Sequence, residues 1–303
     1  MDKGLLLSIS VVTYNQKDYI KQCLDGILMQ QTDFKFEIIL GEDASTDGTR
    51  EICKDYANRF PDKIRLFLRR REDVIYINGN ATGRFNMIEN IKNCRGKYIA
   101  LCEGDDYWTD PLKLQKQVDF LELNTNYSAC FHKVKILRGK DFFDDVSIEA
   151  RYDRIKEKPA SIIDLLTIGN FMHTPSVLFK NLNEEFPMEF IHSTVGDYFL
   201  YIINAQHGPI KRLDDVMAVY RDGVGLYSSL SATKMQEKIV IYQTCILSYL
   251  NKDEHKEIIL KKTINSIENL KNYYIQPEYL NSVLSFKNVF KLIILKIKEL
   301  FKK

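Results

Sequence analysis

"KYIALCEGDDYW", residues 97–108, is an apolar run that stops at three carboxylates, Glu103, Asp105 and Asp106, followed by the single tryptophan of the chain. A short apolar run bounded in this way reads as a buried strand whose far end meets something other than a hydrophobic core. Carboxylates so close together repel one another. A buried donor or a bound cation has to offset them.

The segments upstream place this strand in a larger pattern. "LLLSISVVTY" (5–14), "FEIIL" (36–40) and "KIRLFLRR" (63–70) are further apolar, β-branched strand candidates. Helices are expected at about 18–31, after the cap-competent Ser45-Thr46-Asp47 until Pro61, and near Asn86–Asn93. Such alternation predicts an α/β fold with a mainly parallel sheet covered by helices. Ligands of open parallel sheets bind beyond the carboxyl ends of the strands. Tyr14-Asn15, Glu42-Asp43 and Glu103-Asp105-Asp106 each end one of these strands, so distant segments converge on one edge.

Composition narrows the class. With 303 residues, 45% hydrophobic and 28% charged, the chain can bury a real core, and it has no low-complexity run. A net charge of +2 gives no global field for nucleic acid, so no nucleic-acid partner is expected. The six cysteines are scattered singly, without metal-ligand spacing, and read as reduced, buried thiols. The apolar start is too short to span a membrane and lacks a cleavage site, so neither a signal peptide nor a transmembrane helix is expected. No G-x-G-x-x-G follows the first strand, and no G-x-x-x-x-G-K-[ST] occurs, which argues against dinucleotide and P-loop chemistry. Hard carboxylate oxygens suit Mg²⁺ or Mn²⁺, completed by substrate phosphates.

"SISVVTYNQKDYIKQCLDGILMQ", "EIILGEDASTDGTREIC" and "GRFNMIENIKNCRGKYIALCEGDDYWTDPLKLQKQVDFL" occur in the order, and over roughly the length, of the donor-binding half of the family 2 glycosyltransferases, which this chain resembles. The resemblance implies a GT-A fold. It places Thr13, Tyr14 and Asn15 beside the nucleoside, Asp43 on the base with Glu42 next to it, and Gly83-Arg84 facing the donor. The family's D-x-D motif maps onto Glu103 and Asp105, with Asp105 expected to carry Mn²⁺ or Mg²⁺ and Asp106 adjacent. Glu103 departs from the usual aspartate: charge is kept and reach grows by a methylene. Asp197, in "VGDYFLYIINA" at an expected helix start, matches the family's catalytic base. Tyr220-Arg221 matches a segment that closes over the donor.

The implied activity is inverting transfer of a sugar from a nucleotide-diphosphate donor to a glycan or lipid-linked acceptor, of the bacterial surface-polysaccharide type. Two alternatives stay open: a nucleotidyltransferase, which lacks its glycine-rich first loop here, and an inactive membrane-surface scaffold. The expected organisation is a catalytic domain over 1–230 (nucleotide-sugar half 1–125, acceptor half 126–230) and a helical region over 231–303. Within the acceptor half, "FMHTPSVLFKN" (171–181) reads as a strand. Asp110 and Pro111 are expected to open a helix with Leu114, Val118 and Leu121 inward. Arg69-Arg70-Arg71 reads as a solvated strand end or a patch for an anionic acceptor. His173, His192 and His207 lack metal spacing. Residues 285–303 form a basic amphipathic pattern that either docks on the body or lies on an anionic membrane, giving a cytoplasmic protein peripheral to the inner face of the cell membrane.

Overall fold

The computed structural model of the chain describes residues 3–224 and 231–275. The expected alternation is present: β1 (Lys3–Thr13), α1 (Ile20–Leu28), β2 (Phe34–Glu42), α2 (Thr49–Arg59) and β3 (Ile64–Leu68), then a small hairpin of β4 (Tyr76–Ile77) and β5 (Asn80–Ala81), α3 (Arg84–Asn93) and β6 (Tyr98–Glu103). The second half runs β7 (Tyr107–Trp108), α4 (Lys113–Leu123), β8 (Ala129–Arg138), β9 (Asp141–Asp144), α5 (Val146–Tyr152), α6 (Ile162–Ile168), β10 (Leu178–Lys180), α7 (Met188–His192), α8 (Gly196–Ala205) and β11 (Ile210–Arg221). Helices α9 (Ala232–Tyr249) and α10 (Asp253–Ile275) complete the described chain.

The main sheet has the order β3-β2-β1-β6-β10-β8-β11-β7, with β9 on β8. Its first four strands are parallel, whereas β10 runs antiparallel to both β6 and β8. The result is a mixed α/β body of the expected GT-A type, and its sheet is mainly parallel, since β8 and β11 also run parallel. Alternation along the strands builds two cores. Ile9, Val11, Ile38, Leu40, Ala100 and Cys102 face α1, α2 and α4, where Ile20, Leu24, Cys53, Leu114, Val118 and Leu121 meet them. Ile39, Ile99 and Leu101 face the other way, toward Ile88 and Ile91 of α3, Phe199 of α8, and Ile246 and Ile259 of α9 and α10. The C-terminal helices therefore share a core with the sheet.

Helix α3 is seated by polar contacts as well. Asn90 is fully buried and its amide donates to the carbonyls of Val11 (2.8 Å) and Ile39 (3.0 Å), while Asn86 donates to Gly41 (2.8 Å). A Cβ on Gly41 would lie 2.0 Å from the Asn86 Oδ1, so only glycine lets the helix approach. Arg69 closes the network by donating to both carboxamide oxygens.

Three local expectations change. Residues 171–181 hold a single helical turn at Thr174–Ser176 and only the short β10, because Pro175 has no amide to donate to a ladder. Asp110 accepts from the Leu112 amide, but Pro111 lies in a turn and regular helix begins at Lys113. Ser45 and Asp47 do not cap α2 by themselves; Gly48, at φ 106°, stands at its N-cap. The amphipathic pattern at 285–303 lies outside the described residues. Among those described, no helix is long and apolar enough to cross a membrane.

Lys113 went unread in the sequence. It is wholly buried, donates to Gln117 Oε1 at 2.7 Å and lies 3.9 Å from the Trp108 ring centroid. Burial pulls its ammonium from the ordinary 10.5 to about 7. Between those values the unfolded chain binds a proton that the folded chain does not, so stability should rise with pH by up to ~1.4 kcal/mol per unit. Urea midpoints at pH 7 and pH 9 should therefore climb for the native chain. Lys113→Met, close in volume and uncharged, should flatten that climb.

Candidate active site

Strand register assembles the site. Thr13 pairs with Glu42 across β1 and β2, Val12 pairs with Glu103 across β1 and β6, and Glu42 pairs with Leu68 across β2 and β3. Three strand ends thus lie side by side, and their loops are stitched together. The Asn15 amide donates to Ser45 Oγ (2.9 Å), Thr46 donates to Asn15 Oδ1 (2.9 Å), Gln16 to Thr49 Oγ1 (2.8 Å) and Lys17 to Asp47 Oδ2 (3.0 Å). Asn15 and Ala44 both take left-handed backbone conformations, at φ 51° and 60°, to make these turns. Such conformations cost alanine roughly 1–3 kcal/mol and persist where surrounding contacts over-determine them.

One end of the edge forms a niche of an aromatic ring, a guanidinium and a carboxylate. Tyr14 is exposed, and the Arg71 guanidinium lies 4.3 Å from its ring centroid while donating to Asp43 Oδ2 at 3.2 Å. Asp43 is buried, and its Oδ1 has no hydrogen-bond partner among the described residues. Burial lifts its carboxyl from 3.8 to about 6 despite Arg71. Thr13 is buried behind the niche, donating to Gln16 Oε1 at 2.8 Å. Glu42 is placed differently from the expectation that set it beside Asp43 at the donor. It is fully buried, with one oxygen on the Ser45 amide (2.6 Å) and the other on Arg50, and it braces the loop.

The three consecutive arginines part company. Arg69 serves α3, Arg70 pairs with Glu72 and Asp73 at the surface, and Arg71 enters the niche. Arg71 is the functional candidate that sequence reasoning missed. Its signal was position: it follows β3, whose end is in register with Glu42.

At the middle of the edge, Glu103, Asp105 and Asp106 bring carboxylate oxygens within 4.8 Å of one another. Asp105 and Asp106 are buried, and Glu103 keeps partial access to the cleft. One Asp106 oxygen accepts from the Arg221 amide at 2.8 Å. The other has no partner among the described residues, nor has Asp105 Oδ1. Arg221 brings positive charge to Asp105, but its guanidinium donates to the Asp105 carbonyl and to Gln22 between the rings of Tyr19 and Tyr107. The carboxylates therefore remain under-compensated. Burial and then mutual repulsion push Glu103 to about 8 and hold Asp106 well above its ordinary range; burial likewise raises Asp105. Orphaned hard oxygens with elevated affinity for positive charge fit a divalent cation. Gly104 is required between them, since a Cβ there would lie 2.5 Å from Gln16 Oε1 and 2.7 Å from Thr13 Oγ1.

Asp197 sits in the first turn of α8, one residue inside the helix rather than at its cap. Burial raises its carboxyl, and the Tyr198 amide and Arg84 oppose that rise. Arg84 is buried, donates to the Ser193 carbonyl at 2.9 Å, lies 4.5 Å from the Phe190 ring centroid and packs on Gly196, where a Cβ would sit 2.5 Å from Nη1. It ties the donor half to the segment bearing Asp197. Asp197 and Glu103 share one cavity of about 430 Å³, floored by Ser10, Val12 and Leu101. Tyr220 is partly buried, and its phenol is raised by burial and by all four acids, Glu103, Asp106, Asp105 and Asp197. His173 stacks on Tyr220 at 4.7 Å and bonds Asp145 through Nε2 at 2.8 Å, a link to the site that spacing alone did not show. All six cysteines are free, and five are buried, as read from their placement.

Residues 8–186, more than half of the chain, match the profile of the family described as Glycosyl transferase family 2. The uncharacterized protein Rv1520 of Mycobacterium tuberculosis is 35% identical over 217 residues, 71% of this chain and 58% of that protein, so the chain spans little more than half of that relative's length. Among solved structures, Staphylococcus aureus TarS (residues 1–349) in complex with UDP-GlcNAc superposes with a TM-score of 0.60 at 17% identity, covering 93% of this chain and 80% of that one. A mannosyltransferase from Pyrobaculum calidifontis in complex with GDP-Man and Mn²⁺ gives 0.58 at 17% identity, covering 95% and 80%. These two likenesses are likenesses of fold. With the strand ends, the acidic edge and the matched profile in agreement, the chain belongs to glycosyl transferase family 2.

Proposed function

We propose that the protein is an inverting, cation-dependent glycosyltransferase that moves a sugar from a nucleotide-diphosphate donor to a glycan or lipid-linked acceptor. The observation that carries this reading is the orphaned carboxylate cluster standing between the Tyr14–Arg71–Asp43 niche and Asp197. A nucleoside fits the niche, its diphosphate reaches the acids, and the sugar extends toward Asp197. Solved relatives in fold hold UDP-GlcNAc or GDP-Man, the latter with Mn²⁺, which supports a nucleotide-sugar donor and a divalent cation here. UDP is the nucleotide we favour, and the surface-polysaccharide role follows from the sequence resemblance.

In this reading Asp105 holds the cation, with Glu103 and Asp106 beside it, and the cation when bound neutralises charge on the departing diphosphate. Asp197 takes the proton of the acceptor hydroxyl as its oxygen bonds to the anomeric carbon. The bond from that carbon to the diphosphate oxygen breaks, its electron pair leaves with the diphosphate, and configuration inverts. Arg84 keeps Asp197 in place, and Asp43 accepts a hydrogen bond from the base.

Three outcomes test this. UDP should raise the melting temperature in Mn²⁺ and lose that effect in EDTA; an equal shift under both conditions refutes the cation's role. Asp197→Asn should cut turnover of the sugar donor by about 10²–10⁴, the range for removing a general base, while UDP still binds. Full turnover by that variant would remove Asp197 from the mechanism. Ionised Asp43 accepts more strongly than its protonated form, so UDP affinity should fall as pH drops through about 6. In Asp43→Asn, isothermal titration across pH 5 to 8 should show weaker binding without that inflection.

A further inference from the structure

The acidic cluster is held partly by the end of β11. There the Arg221 amide donates to Asp106 Oδ1 at 2.8 Å, and the Arg221 guanidinium donates to the Asp105 carbonyl. On this side the ladder with β7 stops at Val219 and Tyr107, so the Arg221 amide serves a carboxylate where a backbone carbonyl would continue the sheet. On its other side β11 stays paired with β8 as far as Arg221 and Leu137. The aim of Asp105 and Asp106 therefore depends on how the last residues of this strand are seated.

Tyr220, the residue before Arg221, is seated by His173. The imidazole lies on the Tyr220 ring with centroids 4.7 Å apart and planes 35° from parallel. His173 is itself fixed at both ends. Its Nε2 bonds Asp145 Oδ2 at 2.8 Å, and its carbonyl accepts from the Ser176 amide (2.9 Å) and hydroxyl (2.6 Å). Asp145 has little freedom either, because its other oxygen caps α5 by accepting from the Ile148 amide at 2.9 Å. The bond to His173 holds the Asp145 carboxyl below its ordinary range, so the carboxylate is ionised and Nε2 is the donor.

We infer that Asp145 and His173 are positioning residues for the cation site: the imidazole, clamped between Asp145 and Tyr220, sets the end of β11 and with it the Arg221 contacts that aim Asp105 and Asp106. This rests on the transferase reading above. It adds a control on cation affinity by residues that touch none of the three acids.

The test reads Mn²⁺ binding to the full chain, by electron paramagnetic resonance of the free ion, with and without UDP. The native chain should bind Mn²⁺, and Asp105→Asn should abolish that binding, which places the ion at the acids. His173→Ala should weaken Mn²⁺ binding by about tenfold, the low end of the range for removing a group that orients a metal ligand. Asp145→Ser keeps a cap for α5 but is too short to reach the imidazole, and it should weaken binding in the same way. Melting temperatures show which variants fold, and Asp145→Ser decides where His173→Ala does not. Tyr220→Leu removes the ring through which the imidazole acts. In that background His173→Ala should have no further effect, whereas losses from general loosening would add. Affinity within about twofold of native in a folded His173→Ala or Asp145→Ser chain, or additive losses in the double variant, overturns the proposal while the cation reading stands. A native chain that binds no Mn²⁺ under either condition, or binding that survives Asp105→Asn, refutes the cation reading and this inference with it.

Discussion

Three carboxylates packed at the end of a buried strand are costly, and much of the surrounding structure deals with that cost. Burial raises the proton affinity of all three, and Asp105 raises that of Glu103 and Asp106 further. The backbone contributes one amide, from Arg221, and the Arg221 guanidinium turns to a carbonyl rather than to a carboxylate. Part of the repulsion is thus left for a ligand to relieve. A site built this way suits a cation, because the protein does not neutralise the charge itself.

Holding such a cluster demands a rigid edge. Parallel pairing of β1 with β2 and β6 aligns Thr13, Glu42 and Glu103, and the four side-chain bonds between the first two loops make one surface of them. Beneath them, Asn86 and Asn90 bind strand carbonyls through an approach that Gly41 permits, and Arg69 binds the carboxamides in turn. Arg84 then reaches from the start of α3 to the segment before α8, joining the half that bears the acids to the half that bears Asp197. The bonds of Asn86 and Asn90 to the strand carbonyls are buried and satisfied, the condition under which a buried network rigidifies a site.

Arginine illustrates the difference between local and tertiary information. Arg69, Arg70 and Arg71 are identical in sequence and adjacent, yet one seats a helix, one stays in solvent and one lies on Tyr14 beside Asp43. Strand geometry sends neighbouring side chains to opposite faces, and the residue just past the strand end is free to turn into the loop cluster. Lys113 makes the same point. As the first residue of a helix it reads as a solvent group, but β7 brings Trp108 over it and its ammonium is buried.

Apolar alternation, loop punctuation and the acids at strand ends were local properties, so the sequence alone determined the strands and helices of the first half, the edge on which they converge and the cluster at Glu103, Asp105 and Asp106. Strand and helix periods are short-range, and a carboxylate at a strand end needs no distant partner to be recognised. Tertiary structure decided what depends on residues far apart in the chain. It turned β10 antiparallel, withdrew Glu42 to Arg50, set Arg71 in the niche, and brought Asp197 and the lysines of α9 around one cavity. The reason is physical: burial, charge compensation and the shape of a cleft are properties of pairs and groups of side chains, and only the packed chain brings those pairs together.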